Sequence, residues 1–134
     1  MKANELMIGD WVLWKNKPVQ IARVSGVVYS FGHIDVTLAH CGDGILETHD
    51  IKSISAIPLT PEILKKNGFE YNEGGTGMYG VEIVPHYLRD DVPFEVFCDG
   101  EPFAIWFKDP INIKYVHQLQ HALRLCGISK EIEL

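Results

Sequence analysis

The stretch Pro110-Ile111-Asn112-Ile113-Lys114-Tyr115-Val116-His117-Gln118-Leu119-Gln120-His121-Ala122-Leu123-Arg124-Leu125-Cys126-Gly127 decides how the rest of the chain is read. Its apolar residues Ile113, Val116, Leu119, Leu123 and Cys126 recur at intervals of three and four, the spacing at which side chains share one face of an α-helix. The pattern predicts a helix over 112–126, with Asn112 as N-cap and Gly127 as the left-handed residue that closes it. Such a helix needs a β layer to bury its apolar face against.

Upstream, residues 69–108 supply that layer. Phe69-Glu70-Tyr71 opens a second β region, Met78 to Val84 reads as a strand ended by Pro85, and Pro93 to Cys98 reads as another. Asp99-Gly100 is the strongest hairpin signal in the chain, because a primed two-residue turn needs positive φ; Glu101 to Lys108 then returns as the partner strand. Gly74-Gly75-Thr76-Gly77 reads as a loop. It lacks the following helix and the Lys-Ser/Thr of a phosphate-binding loop. Further back, Thr60-Pro61-Glu62-Ile63-Leu64-Lys65-Lys66-Asn67-Gly68 contains a short helix, with Thr60 as cap, Pro61 at the first helical position, Ile63 and Leu64 facing inward and Gly68 as terminator.

From Gly9 to Ile57, short runs rich in Val, Ile, Tyr and Trp alternate with turn residues, which predicts at least five strands. They are Asp10–Lys15, Val19–Val24, Val27–Phe31, Ile34–Leu38 with Ile45–Thr48 after the Cys41–Gly44 loop, and Ile51–Ile57, with turns at Asn16-Lys17-Pro18 and Ser25-Gly26. So many short strands in so few residues fit a strongly bent small barrel. The Gly9-Asp10-Trp11-Val12 opening and its meander resemble the Src-homology-type barrels. The chain is thus expected to be α+β: an N-terminal small Src-homology-like β-barrel over 1–57, a linking helix in 58–68, and over 69–134 an antiparallel sheet covered by a C-terminal helix, all forming one compact unit.

Composition bounds the function. The 134 residues are 46% hydrophobic and 22% charged, an ordinary globular balance with enough chain for a core. No apolar run approaches the roughly 20 residues of a bilayer-spanning helix, and Met1-Lys2-Ala3-Asn4-Glu5-Leu6 has no export pattern. Cys41, Cys98 and Cys126 are an odd, scattered set, which is the pattern of reduced thiols, so a cytoplasmic location without membrane association is expected. The net charge is −6, divided as −1 over residues 1–57 and −5 over 58–134. Phosphate-backbone binding depends on clustered Lys and Arg, so nucleic acid is a poor partner for this chain.

The sites that chemistry would need fall short. His117 and His121, four apart on one helix, resemble the zinc-peptidase pattern His-Glu-x-x-His, but Gln118 stands where the basic carboxylate belongs and no third ligand follows in a helix-derived motif. His33, His40, Cys41 and His49 match no zinc spacing. Asp90-Asp91 with Glu95 reads as a solvated loop, and Ser25, Ser30, Ser53, Ser55 and Ser129 lack a nucleophile-elbow context. Neither catalytic residues, nor a metal site, nor a cofactor are expected. On the helix, His117, Gln118, His121 and Arg124 read as the polar or partner-facing side. In the barrel, Trp11 and Trp14 lie three apart and so point to opposite faces of a strand, beside Tyr29 and Phe31 on a later run. An exposed Trp is a typical interface anchor. Trp11, Trp14, His117 and His121 are therefore the candidate partner-binding residues, for another protein or a second copy of the chain. The rival functions are a metal-dependent hydrolase using His117 and His121, and nucleic-acid binding through the barrel.

Met1-Lys2-Ala3-Asn4-Glu5-Leu6-Met7-Ile8-Gly9-Asp10-Trp11-Val12, Ile57 to Leu64, Asn67-Gly68-Phe69-Glu70 and Ile113-Lys114-Tyr115-Val116-His117-Gln118-Leu119-Gln120 together resemble a family of small proteins from Bacteroides-type gut bacteria and their phages or mobile elements. The resemblance implies a bacterial or phage protein of the cytoplasm. It carries no activity and no functional residues onto this sequence.

Overall fold

A computed structural model describes residues 2–28, 33–39, 44–98, 103–106 and 110–134, and the chain divides into two units, Met1–Ile57 and Pro58–Leu134. The fold class is α+β, built on antiparallel sheets with a C-terminal helix.

The first unit is a five-stranded sheet of Trp11–Trp14 (β1), Lys17–Val28 (β2), His33–Ala39 (β3), Leu46–Asp50 (β4) and Ile54–Ala56 (β5), in the order β4-β3-β2-β1-β5. The turn between β1 and β2 is Lys15-Asn16, both at positive φ, as a primed two-residue hairpin requires. Lys17 and Pro18 therefore already pair with Trp14 and Leu13, and the strand starts two residues earlier than the sequence predicts. Ser25-Gly26 is not a turn either, because β2 runs on to Val28 as one long strand. Its register shifts between Ile21 and Arg23 and again between Ser25 and Val28, and such bulges bend a strand. Bending lets β2 serve β1 with residues 17–20 and β3 with residues 20–28. Of the expected run Val27–Phe31, residues 27–28 are the end of β2 and 29–31 lie outside the described residues, as do 41–43 of the predicted loop.

Between β4 and β5 the chain makes a 3-10 turn, Ile51–Ser53, whose entry is capped by Asp50 accepting from the Lys52 amide at 2.8 Å. What was read as one strand over 51–57 is therefore a turn followed by three strand residues. The expected barrel is an open sheet: no pairing joins edge strands β4 and β5 among the described residues. The sheet is nonetheless strongly curled. Trp14 on β1 and His49 on β4 have ring centroids 4.5 Å apart, although three strand spacings, roughly 14 Å, would separate those strands in a flat sheet. The concave face buries Val12, Val19, Ile21, Val36, Leu38 and Ile54.

The second unit opens with Pro61–Lys66 (α1). Thr60 caps it as predicted, its hydroxyl accepting from the Ile63 amide at 3.3 Å, and Leu64 is fully buried. A second five-stranded sheet comprises Glu70–Asn72 (β6), His86–Leu88 (β9), Val96–Phe97 (β10), Phe103–Trp106 (β11) and Pro110–Ile113 (β12), in the order β12-β11-β10-β9-β6. Gly75–Thr76 (β7) and Glu82–Ile83 (β8) form a separate two-stranded ribbon. The Asp99-Gly100 turn lies outside the described residues, while the strands flanking it pair antiparallel.

The C-terminal helix is Val116–Leu125 (α2), four residues shorter at its start than predicted. Residues 110–113 alternate rather than spiral, and Ile111 and Ile113 pair with Ile105 and Phe103 of β11. Gln118, not Asn112, fastens the entry, its side-chain oxygen accepting from the Lys114 amide at 2.7 Å and the Tyr115 amide at 3.2 Å. This is half of a capping box. Gly127, at φ 75, closes the helix as expected. Val116, Leu119 and Leu123 are buried, each such side chain stabilising the fold by about 1.5–3 kcal/mol.

Candidate interaction surface

The sequence-derived sites are positioned by the fold as follows. On α2, His117 is only 3% exposed. The buried arc of the helix extends over Val116, His117, Leu119, Gln120, Ala122 and Leu123, so the polar side predicted for His117 does not include it. His121 is half-buried, with its ring edge-on to that of His117 at 5.8 Å. Gln118, the residue that breaks the zinc-peptidase pattern, has a structural reason to be an amide: its oxygen holds two backbone N–H groups at the helix start. Among the described residues no three His, Cys, Asp or Glu side chains are grouped to hold a metal ion. Of the second histidine set, His40 and Cys41 lie outside the described residues.

Trp14 and Trp11 do take opposite faces of β1. Trp14 packs against the core of the first unit, with the His49 ring beside it and the Lys15 ammonium 4.3 Å from its centroid. His49 Nε2 in turn donates to Glu47 at 3.1 Å. These contacts line up a carboxylate, an imidazole, an indole and an ammonium in one row. Trp11 lies half-buried on the outer face, opposite Gln20.

In the second unit Asp90, Asp91 and Glu95 are exposed, as a solvated loop requires, and Asp91 is in addition held by an arginine. Arg89 Nε and Nη2 both donate to Asp91, and Nη1 donates to the Asn67 carbonyl at 3.2 Å. The guanidinium hydrogen bond holds the Asp91 carboxyl below its usual value. His86 Nδ1 donates to the Val84 carbonyl at 2.9 Å, and Nε2 stands 4.0 Å from Glu95. Burial pushes the Cys98 thiol up, so it stays protonated at neutral pH and is a poor nucleophile. A shallow cleft of about 450 Å³, lined by Leu88, Val92, Phe94 and Phe97 with Arg89 and Glu95 at its edge, lies on this unit.

Among the described residues, the ribbon of β7 and β8 departs from ordinary surface chemistry. Its connection is a 3-10 turn, Met78–Gly80, not the strand that sequence reading placed over 78–84. Met78 is 81% exposed, Tyr79 98%, Val81 62% and Ile83 44%. Four sizeable apolar side chains in six residues thus face solvent, whereas isolated exposed ones are unremarkable. The shape is held from within. The Gly77 amide donates to the Val81 carbonyl at 2.7 Å and Ile83 lies against Gly77. Gly74, at φ 75, passes so close to the opposite strand that a Cβ there would sit 2.0 Å from the Ile83 carbonyl oxygen. Tyr79 itself adopts φ 64, a left-handed conformation that costs a non-glycine residue about 1–2 kcal/mol. The fold therefore spends backbone strain to set a fully exposed aromatic at the apex. Gly77 before Met78 and Gly80 after Tyr79 were the available signal, because an apolar pair bracketed by glycines does not continue as a strand.

No protein-family model matches the chain, and neither does any curated protein or solved structure.

Proposed function

We propose that this chain is a non-enzymatic protein-binding module working inside a bacterial or phage-infected cell, and that the β7–β8 ribbon is its contact element. The observation that carries the reading is Tyr79, 98% exposed at positive φ between Met78 and Val81. Strain maintained at an exposed apolar apex is a feature of recognition elements rather than of stability, since nothing in the unit is buried by it. The free thiols of Cys98 and Cys126 support a reducing compartment. The metal-hydrolase alternative loses support, because Gln118 is committed to the helix entry and His117 is buried.

Photo-cross-linking tests the reading. With Tyr79→p-benzoyl-phenylalanine in the full chain, a discrete adduct is expected in an extract of the native host, and none from the same group at exposed Lys52. Equal adduct patterns from both positions would remove the ribbon from consideration.

A further inference from the structure

We infer that the ribbon's partner is a protein presenting an apolar cleft edged by Lys and Arg side chains, an inference that rests on the binding role proposed above. The sequence on either side of the apolar apex carries charge of one sign. From Asn67 to Leu88 the sequence has Glu70, Glu73 and Glu82 and no Lys or Arg. All three carboxylates are exposed, and no ion pair engages them among the described residues. The flanking cations are Lys65 and Lys66 on α1 and Arg89, of which Lys66 donates to the Leu134 carbonyl and Arg89 to Asp91 and the Asn67 carbonyl. Glu82 is on β8 itself and Glu73 directly precedes the glycines that start β7, so two of the three charges ride on the element that carries Tyr79.

An apolar centre with a charged rim is the ordinary anatomy of a protein interface. Here the rim chooses among occupants. A second copy in a two-fold contact would set Glu73 and Glu82 against the same two carboxylates, a like-charge arrangement that specific interfaces use to reject partners. Nucleic acid and anionic lipid meet the same repulsion. A basic rim gains from it. The apex is small beside the roughly 800 Å² per partner of a standard stable interface, which places the contact in the transient class, where rim charge has the most influence on encounter.

The protein captured through Tyr79 would be purified and titrated, at 50 and at 500 mM NaCl, with the full-length wild type, Tyr79→Ser and the triple variant Glu70→Gln/Glu73→Gln/Glu82→Gln. Exposed ion pairs are each worth a few-fold and are screened by salt. The triple variant is therefore expected to bind about 10-fold more weakly at 50 mM, with most of the difference gone at 500 mM. Tyr79→Ser should weaken binding at both salt concentrations. Wild-type affinity in the triple variant, with no salt dependence, would overturn the basic rim and leave the ribbon's role standing. Full affinity in Tyr79→Ser would overturn both. A dimer in sedimentation that Tyr79→Ser dissociates, or retention on phosphatidylcholine vesicles that it abolishes, would assign the apex to a second copy or a lipid surface and sink the inference.

Discussion

Asn67 and Tyr79 stand a dozen residues apart in the same unit and show opposite uses of side-chain chemistry. Asn67 is polar and 3% exposed, with its amide fully used: Nδ2 donates to the Ile63 carbonyl at 2.8 Å and the Glu133 carbonyl at 2.7 Å, and Oδ1 accepts from the Glu133 amide at 2.8 Å. A polar group is buried there because every partner it needs is present. Tyr79 is mostly apolar and almost wholly in solvent, on a backbone that resists its conformation. One position shows where the unit is fastened; the other shows where it has something left to bind. Substitutions at the first kind of site should cost stability and spare recognition, and those at the second should do the reverse.

The contrast breaks if the fastening residues prove dispensable. Phe69, 2% exposed directly after the Asn67-Gly68 pair, should lose about 3–5 kcal/mol on replacement by Ala, read as a large drop in the urea midpoint. Asn67→Ala should cost about 2–3 kcal/mol, since it orphans both backbone groups of Glu133 and leaves the Ile63 carbonyl only the backbone amide of residue 67 as donor. Gly74→Ala sharpens the comparison from the ribbon's side: the positive φ alone costs about 1–2 kcal/mol, and the clash of the new Cβ with the Ile83 carbonyl adds to it. That cost should show as lost amide protection at Gly77, with the sheet of β6 and β9 unaffected.

Smaller effects follow from charge and strain. The Arg89 hydrogen bond depresses the Asp91 carboxyl in the folded state, so its contribution is complete above the ordinary Asp value of about 3.9 and disappears as pH falls through the lowered one. Melting temperatures measured from pH 7 to pH 2.5 should therefore show an acid-side decline that is shallower in Asp91→Asn. An unchanged slope would mean that the Arg89 contact contributes nothing. The smallest effect belongs to Tyr79→Gly, where relief of the left-handed strain opposes the extra freedom of the unfolded chain. Stability should move by about 0.5 kcal/mol or less, while the cross-linked partner is lost.

What could be read in the sequence follows from how local the cause is. Thr60-Pro61 announced α1 because capping and the missing proline N–H act within one turn, and Gly127 marked the end of α2 for the same reason. The start of α2 was misplaced because Ile113 satisfies both patterns, three residues before Val116 and two after Ile111. Only its pairing with Phe103 across the sheet decides between them. The strand His86–Leu88 was missed altogether. Three residues carry no period, and they are extended because β6 and β10 flank them. Of the candidate site residues, Trp11 and Trp14 were correctly assigned to opposite faces by strand alternation. The burial of His117 was not foreseeable, because a helix periodicity does not reveal how wide an arc its neighbours cover. The ribbon apex escaped for a related reason: a strand and an exposed turn can share the composition Met-Tyr-Gly-Val, with Gly77 assigned to the loop before it and Gly80 to the strand.

The grip of Asn67 on Glu133 spans 66 positions of chain, nearly the whole second unit. Lys66 adds a bond from its ammonium to the Leu134 carbonyl, and Ile132 is buried beside them. Contacts of such separation are the slowest to form. During synthesis a nascent chain has α1 and its cap long before it has their counterpart, so the second unit stays open at this seam until residues 132–134 emerge. The Asn67 amide thus waits for its Glu133 partners until the chain has grown by a further 66 positions.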